Sequence, residues 1–338
     1  MSPTDPPTFR SLTAADVVAS MPPIEERLAL AEQTMTALVA DADLPPKIGV
    51  HPRADGSFAH AMPAYLRGPA LDGTDDLLGI KWVTGFGRNR DLGLPAINAI
   101  VILNDPRSGL PMAILDGGPI TAQRTAAVSG VAIARFGPTA GALGGTIRAA
   151  LIGAGVQGHS HLEVLGHVLP GVSLRVHDVH EDRATRLAEA ARATPGIRDA
   201  TATASVREAV AGAHVVVTAA SFTDAAHRQV MTGEWLDADA LVVPVDYATM
   251  IAADVARDAA LFLVDDRGQF LANRDAGHFD GYPDAAATFG EAILAGTPRP
   301  ARGRVVVTHL GVGLADVIFG AAILRRAIAA GLGTIVSR

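Results

Sequence analysis

The stretch that decides the fold is Leu151-Ile-Gly-Ala-Gly-Val-Gln-Gly158. It ends an apolar run, Ile147 to Ile152, and it has the spacing Gly-x-Gly-x-x-Gly. In this pattern one glycine makes the tight turn from strand to helix, the next lets the backbone approach a pyrophosphate, and the third lets helix and strand pack closely. A segment with helical periodicity, Gln157 to Leu169, comes next, and the N-terminus of a helix favours an anion. The sequence therefore predicts a Rossmann dinucleotide site, and the alternative is a glycine-rich turn without a ligand.

An acidic residue follows the next predicted strand, Ser173 to His177. Asp178 lies 25 residues past Gly153, close to the offset of roughly 20 residues at which a carboxylate accepts the ribose hydroxyls of NAD. Its charge would also repel the 2′-phosphate of NADP. Asp178 therefore predicts NAD, although NADP stays possible because His180 and Arg183 lie nearby in the sequence.

Length and composition limit the class of protein. The 338 residues are 49% hydrophobic and 19% charged, which predicts a globular protein with a large core and favours two domains. The absence of cysteine excludes disulfides and is compatible with the cytoplasm. A net charge of −7 without a basic cluster argues against a nucleic-acid surface, and no apolar run is long enough for a bilayer span. We therefore expect a cytoplasmic protein whose partners are small molecules, with no nucleic acid and no membrane.

Apolar periodicity divides the chain into two patterns. Between Lys47 and Asp116 short strands separated by turn residues predict a mostly antiparallel sheet. From Ile147 to Thr308 strands and helices alternate, which predicts a parallel, doubly wound α/β sheet. Within it, Asp265 to Asp284 is expected to be a polar loop, followed by a helix from Ala285 to Ala295. The last helix, Leu314 to Gly331, is expected to return to the N-terminal sheet.

Two basic residues that precede the glycine-rich turn could bind an anion. Lys81 lies in an apolar strand between Ile80 and Trp82, so it either points to solvent or meets an anion. Arg124 lies among small residues in the first turns of a predicted helix. Its guanidinium suits a carboxylate or a phosphate, and the alternative is a surface arginine that forms a salt bridge within its own domain.

Asp246 and His309 follow predicted strands, at the edge where open α/β sheets bind ligands. A carboxylate there can act as general acid or base if burial raises its pKa, or it can cap the next helix. His309 is a candidate for the same chemistry or a structural histidine. His159, His161 and His167 do not share one helix face and have no nearby carboxylate, so no metal site is expected.

Six segments in the same order resemble one known family. They are Met62-Pro-Ala-Tyr65, Lys81-Trp-Val-Thr84, Leu115-Asp-Gly-Gly-Pro-Ile-Thr-Ala-Gln-Arg-Thr-Ala-Ala-Val-Ser129, Ile152-Gly-Ala-Gly-Val-Gln157, Glu208-Ala-Val-Ala-Gly-Ala213 and His309-Leu-Gly-Val-Gly-Leu-Ala-Asp316. Together they resemble the ornithine cyclodeaminase/mu-crystallin family, which includes alanine dehydrogenases, ketimine reductases and related imino-acid reductases. The third segment is the most specific to this family.

The resemblance implies a substrate site and a cofactor site. It implies that Lys47, Lys81 and Arg124 bind the substrate carboxylate, and that Asp246 is the acid/base, with Lys81 as the second catalytic candidate. His60 and Leu310 are expected to contact the substrate as well. The residues implied at the cofactor are Arg124, Thr125, Gly153, Gly155, Val156, Gln157, Asp178, Thr218, Val245 and His309.

The resemblance also implies a domain organisation. Family members are usually dimers whose N-terminal sheets join into a shared barrel. We therefore expect an α+β substrate-binding and dimerisation domain, residues 1–128 and 309–338, and a Rossmann domain, residues 129–308, in a homodimer.

Departures from the family pattern bear on the substrate. Cyclodeaminases carry an arginine where this chain has Lys47, a glutamate where it has His60, and Gly-Gly-Asp-x-Pro-Gly-Lys where it has Pro244 to Met250. Loss of the glutamate removes an anion that could position a distal ammonium. We therefore predict an NAD-dependent amino-acid dehydrogenase or imine reductase that acts on a small α-amino, α-imino or α-keto acid. The alternatives are an ornithine cyclodeaminase, which forms proline and ammonia without net redox change, and a non-catalytic, mu-crystallin-like ligand-binding protein.

Overall fold

The computed structural model describes residues 8–52, 56–70 and 72–337. The chain forms two compact units: the first contains the residues up to Arg124 and those from Val312 onward, and the second runs from Thr125 to Gly311. The strands are β1 (Thr8–Leu12), β2 (Ala42–Asp43), β3 (Ile48–Val50), β4 (Phe58–Leu66), β5 (Leu77–Gly85), β6 (Ile97–Asn104), β7 (Pro111–Asp116), β8 (Arg148–Ile152), β9 (Val172–His177), β10 (Ile197–Ala202), β11 (Val215–Thr218), β12 (Leu241–Pro244), β13 (Leu261–Val264), β14 (Ala287–Thr288), β15 (Val305–Thr308) and β16 (Thr334–Ser337). The helices are α1 (Ala14–Ala19), α2 (Ile24–Ala37), α3 (Gly117–Phe136), α4 (Ala140–Leu143), α5 (Val156–Val168), α6 (Glu181–Arg192), α7 (Val206–Val210), α8 (Ala253–Arg257), α9 (Arg267–Asp275), α10 (Phe289–Leu294) and α11 (Gly313–Ala329). Within the described ranges, none of these helices has both the length and the apolar character of a membrane span.

The first unit contains a mixed sheet with the strand order β16-β1-β7-β6-β5-β4-β2, and β3 also pairs with β4. All its pairs are antiparallel except β1 with β7. The predicted, mostly antiparallel sheet is therefore confirmed. Strands β1, β2 and β16 were not predicted, because strands this short carry too little alternation to reveal a pairing with a distant part of the chain.

Helix α11 packs on this sheet, against β4, β5 and β6, and also against α2. Two glycines allow the close approach. A Cβ atom on Gly313 would lie 2.5 Å from the carbonyl oxygen of Met62, and one on Gly79 would lie 3.0 Å from Cγ2 of Val317. The expected return of the last helix to the N-terminal sheet is confirmed, and its first turn is held against the middle of β4 and β5.

The second unit contains a sheet with the order β10-β9-β8-β11-β12-β15-β13-β14. Every pair in it is parallel, and helices alternate with the strands along the chain. Starting from β8, the chain adds strands in one direction to β10 and then crosses to β11 on the other side. This reversal is the switch point at which doubly wound sheets bind ligands. The predicted Rossmann fold is confirmed.

The prediction of a polar loop from Asp265 to Asp284 was wrong, because that segment contains helix α9. The Asp266 side chain caps the helix by accepting a hydrogen bond from the backbone amide of Gln269 at 2.7 Å. Phe270 is buried, and its ring centroid lies 5.6 Å from that of Phe262 and 5.1 Å from that of Phe279. These few aromatic contacts stabilise a segment whose average composition is polar.

The helix predicted from Ala285 begins later, at Phe289. Thr288 accepts a hydrogen bond from the Glu291 amide, and the Glu291 side chain accepts one from the Thr288 amide. This capping box fixes the start of the helix and leaves Ala287 and Thr288 to the short strand β14.

Candidate functional site

The three glycines of the turn after β8 have three different environments. Gly153 has φ +108°, and a Cβ on it would lie 2.4 Å from the carbonyl oxygen of Ala219. A Cβ on Gly158 would lie 2.3 Å from the carbonyl oxygen of Gly153. A Cβ on Gly155 would meet nothing within 4 Å. The first and third glycines are thus required by the protein's own packing, whereas the second keeps open the space that a pyrophosphate would approach.

The polar groups around this turn fit a dinucleotide. Helix α5 begins after Gly155 without a side-chain cap, so its first amides remain for an anion. Val156, the first helical residue, is 71% exposed. Asp178 accepts hydrogen bonds from the amides of Ala154 at 2.8 Å and His180 at 2.9 Å, which fix its carboxylate beside the turn. A diphosphate on the helix and a ribose on Asp178 suit these donors and acceptors.

Asp246 lies just beyond the carboxyl end of β12 and is 2% exposed. Burial raises the pKa of its carboxyl to about 6, and contacts with the Thr218 hydroxyl and the Ala220 amide limit the rise. The Ala220 amide donates to Oδ2 at 3.2 Å. The capping role considered for Asp246 is wrong, because helix α8 starts after Ala252. Asp246 is a buried carboxyl that can exchange a proton near neutral pH.

The backbone after Asp246 is strained. Tyr247 and Ala248 have φ of 53° and 57°, in the left-handed region that non-glycine residues rarely adopt. The Tyr247 hydroxyl donates to the carbonyl oxygen of Leu310 at 2.9 Å, and the Thr249 hydroxyl donates to the Asp246 carbonyl oxygen at 2.6 Å. These contacts hold a conformation that would otherwise cost about 1–3 kcal/mol per residue, and they fix the direction in which Asp246 points.

His309 lies at the end of a buried hydrogen-bonded chain. Nδ1 of His161 lies 2.6 Å from the Gln157 carbonyl oxygen, which can only accept, so this nitrogen carries the hydrogen. Burial lowers the pKa of His161 to about 4, and the neutral ring accepts from the Ser129 hydroxyl at 2.9 Å. The Ser129 oxygen then accepts from Nε2 of His309, also at 2.9 Å. The chain sets the tautomer of His309 and connects it to the first turn of α5.

The first unit brings Lys81 and Arg124 together on a third residue, Asp316. Lys81 is 1% exposed, and its Nζ lies 2.6 Å from Oδ2 of Asp316 and 3.5 Å from the Thr121 hydroxyl. Arg124 donates from Nε to Oδ1 of Asp316 at 3.3 Å. The solvated-lysine interpretation is therefore wrong. For Arg124 the salt bridge within its own unit is real, but the side chain is buried rather than on the surface.

His60 and Lys47 belong to the same unit. Burial and the charges of Lys47, His51 and Lys81 lower the pKa of His60 to about 4, so its ring is neutral at pH 7. The ring stacks on Phe58, with centroids 4.5 Å apart. Lys47 also lowers the pKa of Lys81. The cationic residues expected to bind a carboxylate thus influence one another electrostatically, and His60 adds no charge.

The remaining expected residues lie in the second unit. Thr218 ends β11 and is buried, and its carbonyl oxygen accepts from the Val245 amide at 2.9 Å. Thr125 and Leu310 are buried in that unit as well. Asp316 and Ser129 received no role from the sequence, although each ends a segment that carried the family resemblance. Among the described residues no cluster of histidines and acids could hold a metal.

Comparisons with known proteins bear on the family and the fold of this chain. The sequence profile of the Ornithine cyclodeaminase/mu-crystallin family matches residues 12–264. The chain is 34% identical over 298 residues to the nodulation efficiency protein NfeD of Rhizobium meliloti, covering 87% of each chain. It is 28% identical over 265 residues to the ketimine reductase mu-crystallin of Mus musculus, covering 77% of this chain and 78% of the relative. The solved Delta(1)-pyrroline-2-carboxylate reductase of Thermococcus litoralis, in complex with NADH and L-proline, is similar in fold, with a TM-score of 0.81, 23% identity and coverage of 96% and 99% of the two chains.

Proposed function

Because the chain belongs to the ornithine cyclodeaminase/mu-crystallin family, we propose that it is an NAD-dependent oxidoreductase that interconverts a small α-amino acid and its α-imino or α-keto acid. The observation that carries the proposal is Asp246, a buried carboxyl with a raised pKa of about 6 at the ligand-binding edge of a Rossmann sheet. The reductase names of relatives such as mouse ketimine reductase mu-crystallin support the same reaction class.

In this proposal the second unit binds NAD. The open space at Gly155, the uncapped start of α5 and the fixed carboxylate of Asp178 suit the diphosphate and the ribose. Bound NADH would supply a hydride to the carbon of the C=N or C=O bond. Asp246 supplies the proton that the nitrogen or oxygen gains in reduction, and it accepts that proton in oxidation.

The first unit binds the substrate carboxylate. Lys81 and Arg124 are fixed by Asp316, and Lys47 adds a further positive charge. Holding the carboxylate orients the adjacent carbon for hydride transfer, an effect that can lower the barrier by several kcal/mol. We propose that residues 1–128 and 309–338 have this role and that residues 129–308 form the cofactor domain.

Asp178 should decide the choice of cofactor. Replacing it with asparagine keeps an oxygen that can accept from Ala154 but removes the negative charge. We expect the preference for NAD over NADP to fall by about tenfold, equivalent to about 1.4 kcal/mol. Fluorescence titrations with NADH and NADPH measure the ratio. Asp182→Asn is the control, since Asp182 is an exposed acid in an ion pair with Arg186. An unchanged ratio in Asp178→Asn contradicts the role.

The reductase is distinguished from a cyclodeaminase by the redox balance. A thermal-shift panel of amino and keto acids with NAD or NADH first identifies substrates that bind. We expect NADH to be consumed in stoichiometric amounts with a keto acid and ammonium, or with a cyclic imino acid. Release of ammonia and proline from ornithine with only catalytic NAD would instead establish the lyase. Binding without turnover of any substrate would favour the ligand-binding alternative. The neutral His60 favours the reductase, because it offers no anion to the distal ammonium of ornithine.

We also propose that the protein is a homodimer joined through the sheet of the first unit. Trp82 on β5 is directly paired with Ile100 on β6, and both are 41% exposed. Met112 on β7 is 46% exposed. An apolar sheet face that remains accessible is typical of an interface between protein chains. The lack of cysteines is compatible with the cytoplasm, where we place the enzyme in this proposal.

A further inference from the structure

Asp316 is a charged residue in an apolar helix. It lies in the first turn of α11 and is 0% exposed, among buried neighbours such as Ala315 and Val317. A buried carboxylate destabilises a protein strongly unless it is paired. Here the start of the helix favours a negative charge, and Lys81 and Arg124 supply two positive ones. The packing of α11 alone needs no acid at this position, so the carboxylate requires another explanation.

The backbone holds Asp316 at a fixed distance from Lys81. Gly313 lies so close to the carbonyl oxygen of Met62 that a Cβ would come within 2.5 Å of it. Met62 on β4 is paired directly with Lys81 on β5. The first turn of α11 is therefore anchored on the residue beside Lys81, and Asp316 lies in that same turn, three residues after Gly313.

The two oxygens of Asp316 have different partners. Oδ2 forms an ion pair with Nζ of Lys81, and Oδ1 accepts a hydrogen bond from Nε of Arg124. Asp316 thus does not use the edge of the guanidinium formed by Nη1 and Nη2, which can donate two parallel hydrogen bonds to a carboxylate. We propose that Asp316 is a positioning residue that holds Lys81 and Arg124 so that this edge and the lysine charge face the substrate carboxylate. The proposal rests on the function proposed above.

The electrostatics of Lys81 give the proposal a specific consequence. Burial and the charge of Arg124 lower the pKa of Lys81 to about 7, and Asp316 opposes them. Within the described residues, the charged and titratable groups that act on Lys81 are Lys47, His60, Arg124 and Asp316, and Asp316 is the acid among them. Without that acid, Lys81 loses its proton at a lower pH. Because the protonated form attracts a carboxylate, substrate binding should then fail at a lower pH.

The test compares Asp316→Asn, Asp316→Glu and Lys81→Arg with wild type, as full-length enzymes with NADH. Pyruvate with ammonium is the first probe, and the carboxylates of the thermal-shift panel follow. We expect Asp316→Asn to raise KM by at least about tenfold and to move the alkaline loss of carboxylate binding, measured as the fall of 1/KM with rising pH, toward lower pH by about one unit. Asp316→Glu should restore part of both effects. In the Lys81→Arg variant the fall of 1/KM near pH 7 should vanish, since arginine keeps its proton. Adding Asp316→Asn to this variant should not restore the fall.

Asp265→Asn is the matched control for losing a buried acid. Asp265 lies in the second unit and accepts from the Gly311 amide at 2.7 Å. The Asp265→Asn substitution should lower the stability of the protein without moving the pH at which 1/KM falls. A pH profile that is the same in Asp316→Asn as in wild type overturns the proposal, and so does the absence of any carboxylate that binds wild type. If carboxylates bind but none is turned over, the proposed reaction fails, and the pH dependence of binding, measured by calorimetry, still decides the role of Asp316.

Discussion

Replacing Asp246 with asparagine should lower kcat by about 100-fold to 10,000-fold, with KM near the wild-type value. Asparagine has nearly the same shape and keeps an oxygen for the Ala220 amide, but it cannot transfer a proton. Burial raises the pKa of Asp246 to about 6. The wild-type rate of reduction, which needs the protonated acid, should therefore fall as the pH rises through about 6, whereas oxidation, which needs the base, should rise. Both of these pH-dependent changes in rate should disappear in Asp246→Asn.

Steady-state kinetics in both directions between pH 5 and 9 measure this effect. Asp254→Asn is the control, because Asp254 accepts from the Gly233 amide at 2.9 Å in the same unit. Its kcat should stay near that of wild type. Retention of full kcat in Asp246→Asn would remove the residue from the reaction. A loss of NADH binding equal to the loss of kcat would show that Asp246 stabilises the turn and does not transfer a proton.

The parts of the fold and site that could be predicted from the sequence are local or periodic. Gly158 is required by its contact with the carbonyl oxygen of Gly153, which follows from the turn itself, whereas Gly153 contacts the carbonyl oxygen of Ala219 just after β11. The position of Asp246 follows from strand order, because the residue after a parallel strand lies at the carboxyl edge of the sheet. For Gly158 and Asp246, a short stretch of sequence determines the environment of the residue.

The orientation of Lys81 could not be predicted in this way. Alternation along β5 separates Lys81 from Trp82, but it does not say which face is covered. Helix α11 decides this, and its contacts with β5 come from a segment more than two hundred residues later in the chain. The pairing of Arg124 with Asp316 spans 192 residues, and that of Ser129 with His309 spans 180. A lone acid in an apolar helix is the signal that could have identified Asp316.

The polar chain of the second unit illustrates the same limit. His161 is one of the three histidines that the sequence analysis considered only as metal ligands, and it is buried and neutral. Its partner Ser129 is a small residue in α3, and nothing in its local sequence distinguishes it from a packing residue. Side-chain hydrogen bonds between elements depend on tertiary packing, and periodicity carries no information about them.

Replacing Arg124 with alanine should raise KM for the carboxylate substrate by at least about 100-fold, because the loss of its charged hydrogen bonds alone costs about 2.7 kcal/mol. It should also lower kcat, because a carboxylate held by lysines without the planar guanidinium is less well oriented. Arg124→Lys should recover little, because lysine restores the charge but not the planar pair of donors. Kinetics with varied keto acid at saturating NADH measure both constants.

Arg27→Ala is the matched control for this variant. Arg27 is a buried arginine of the same unit that donates to Gln123, so its loss should lower the melting temperature without a selective rise in KM.

The contact between Arg124 and Asp316 also predicts that the effects of substituting the two residues are coupled. Without Arg124, Lys81 is the one of these two cations that still pairs with Asp316. Asp316 then neutralises the lysine charge more fully. The effect of Arg124→Ala on KM should therefore exceed the loss of its own bonds, and it should shrink when Asp316→Asn is added. Strictly additive effects on KM would show that Arg124 and Asp316 act independently.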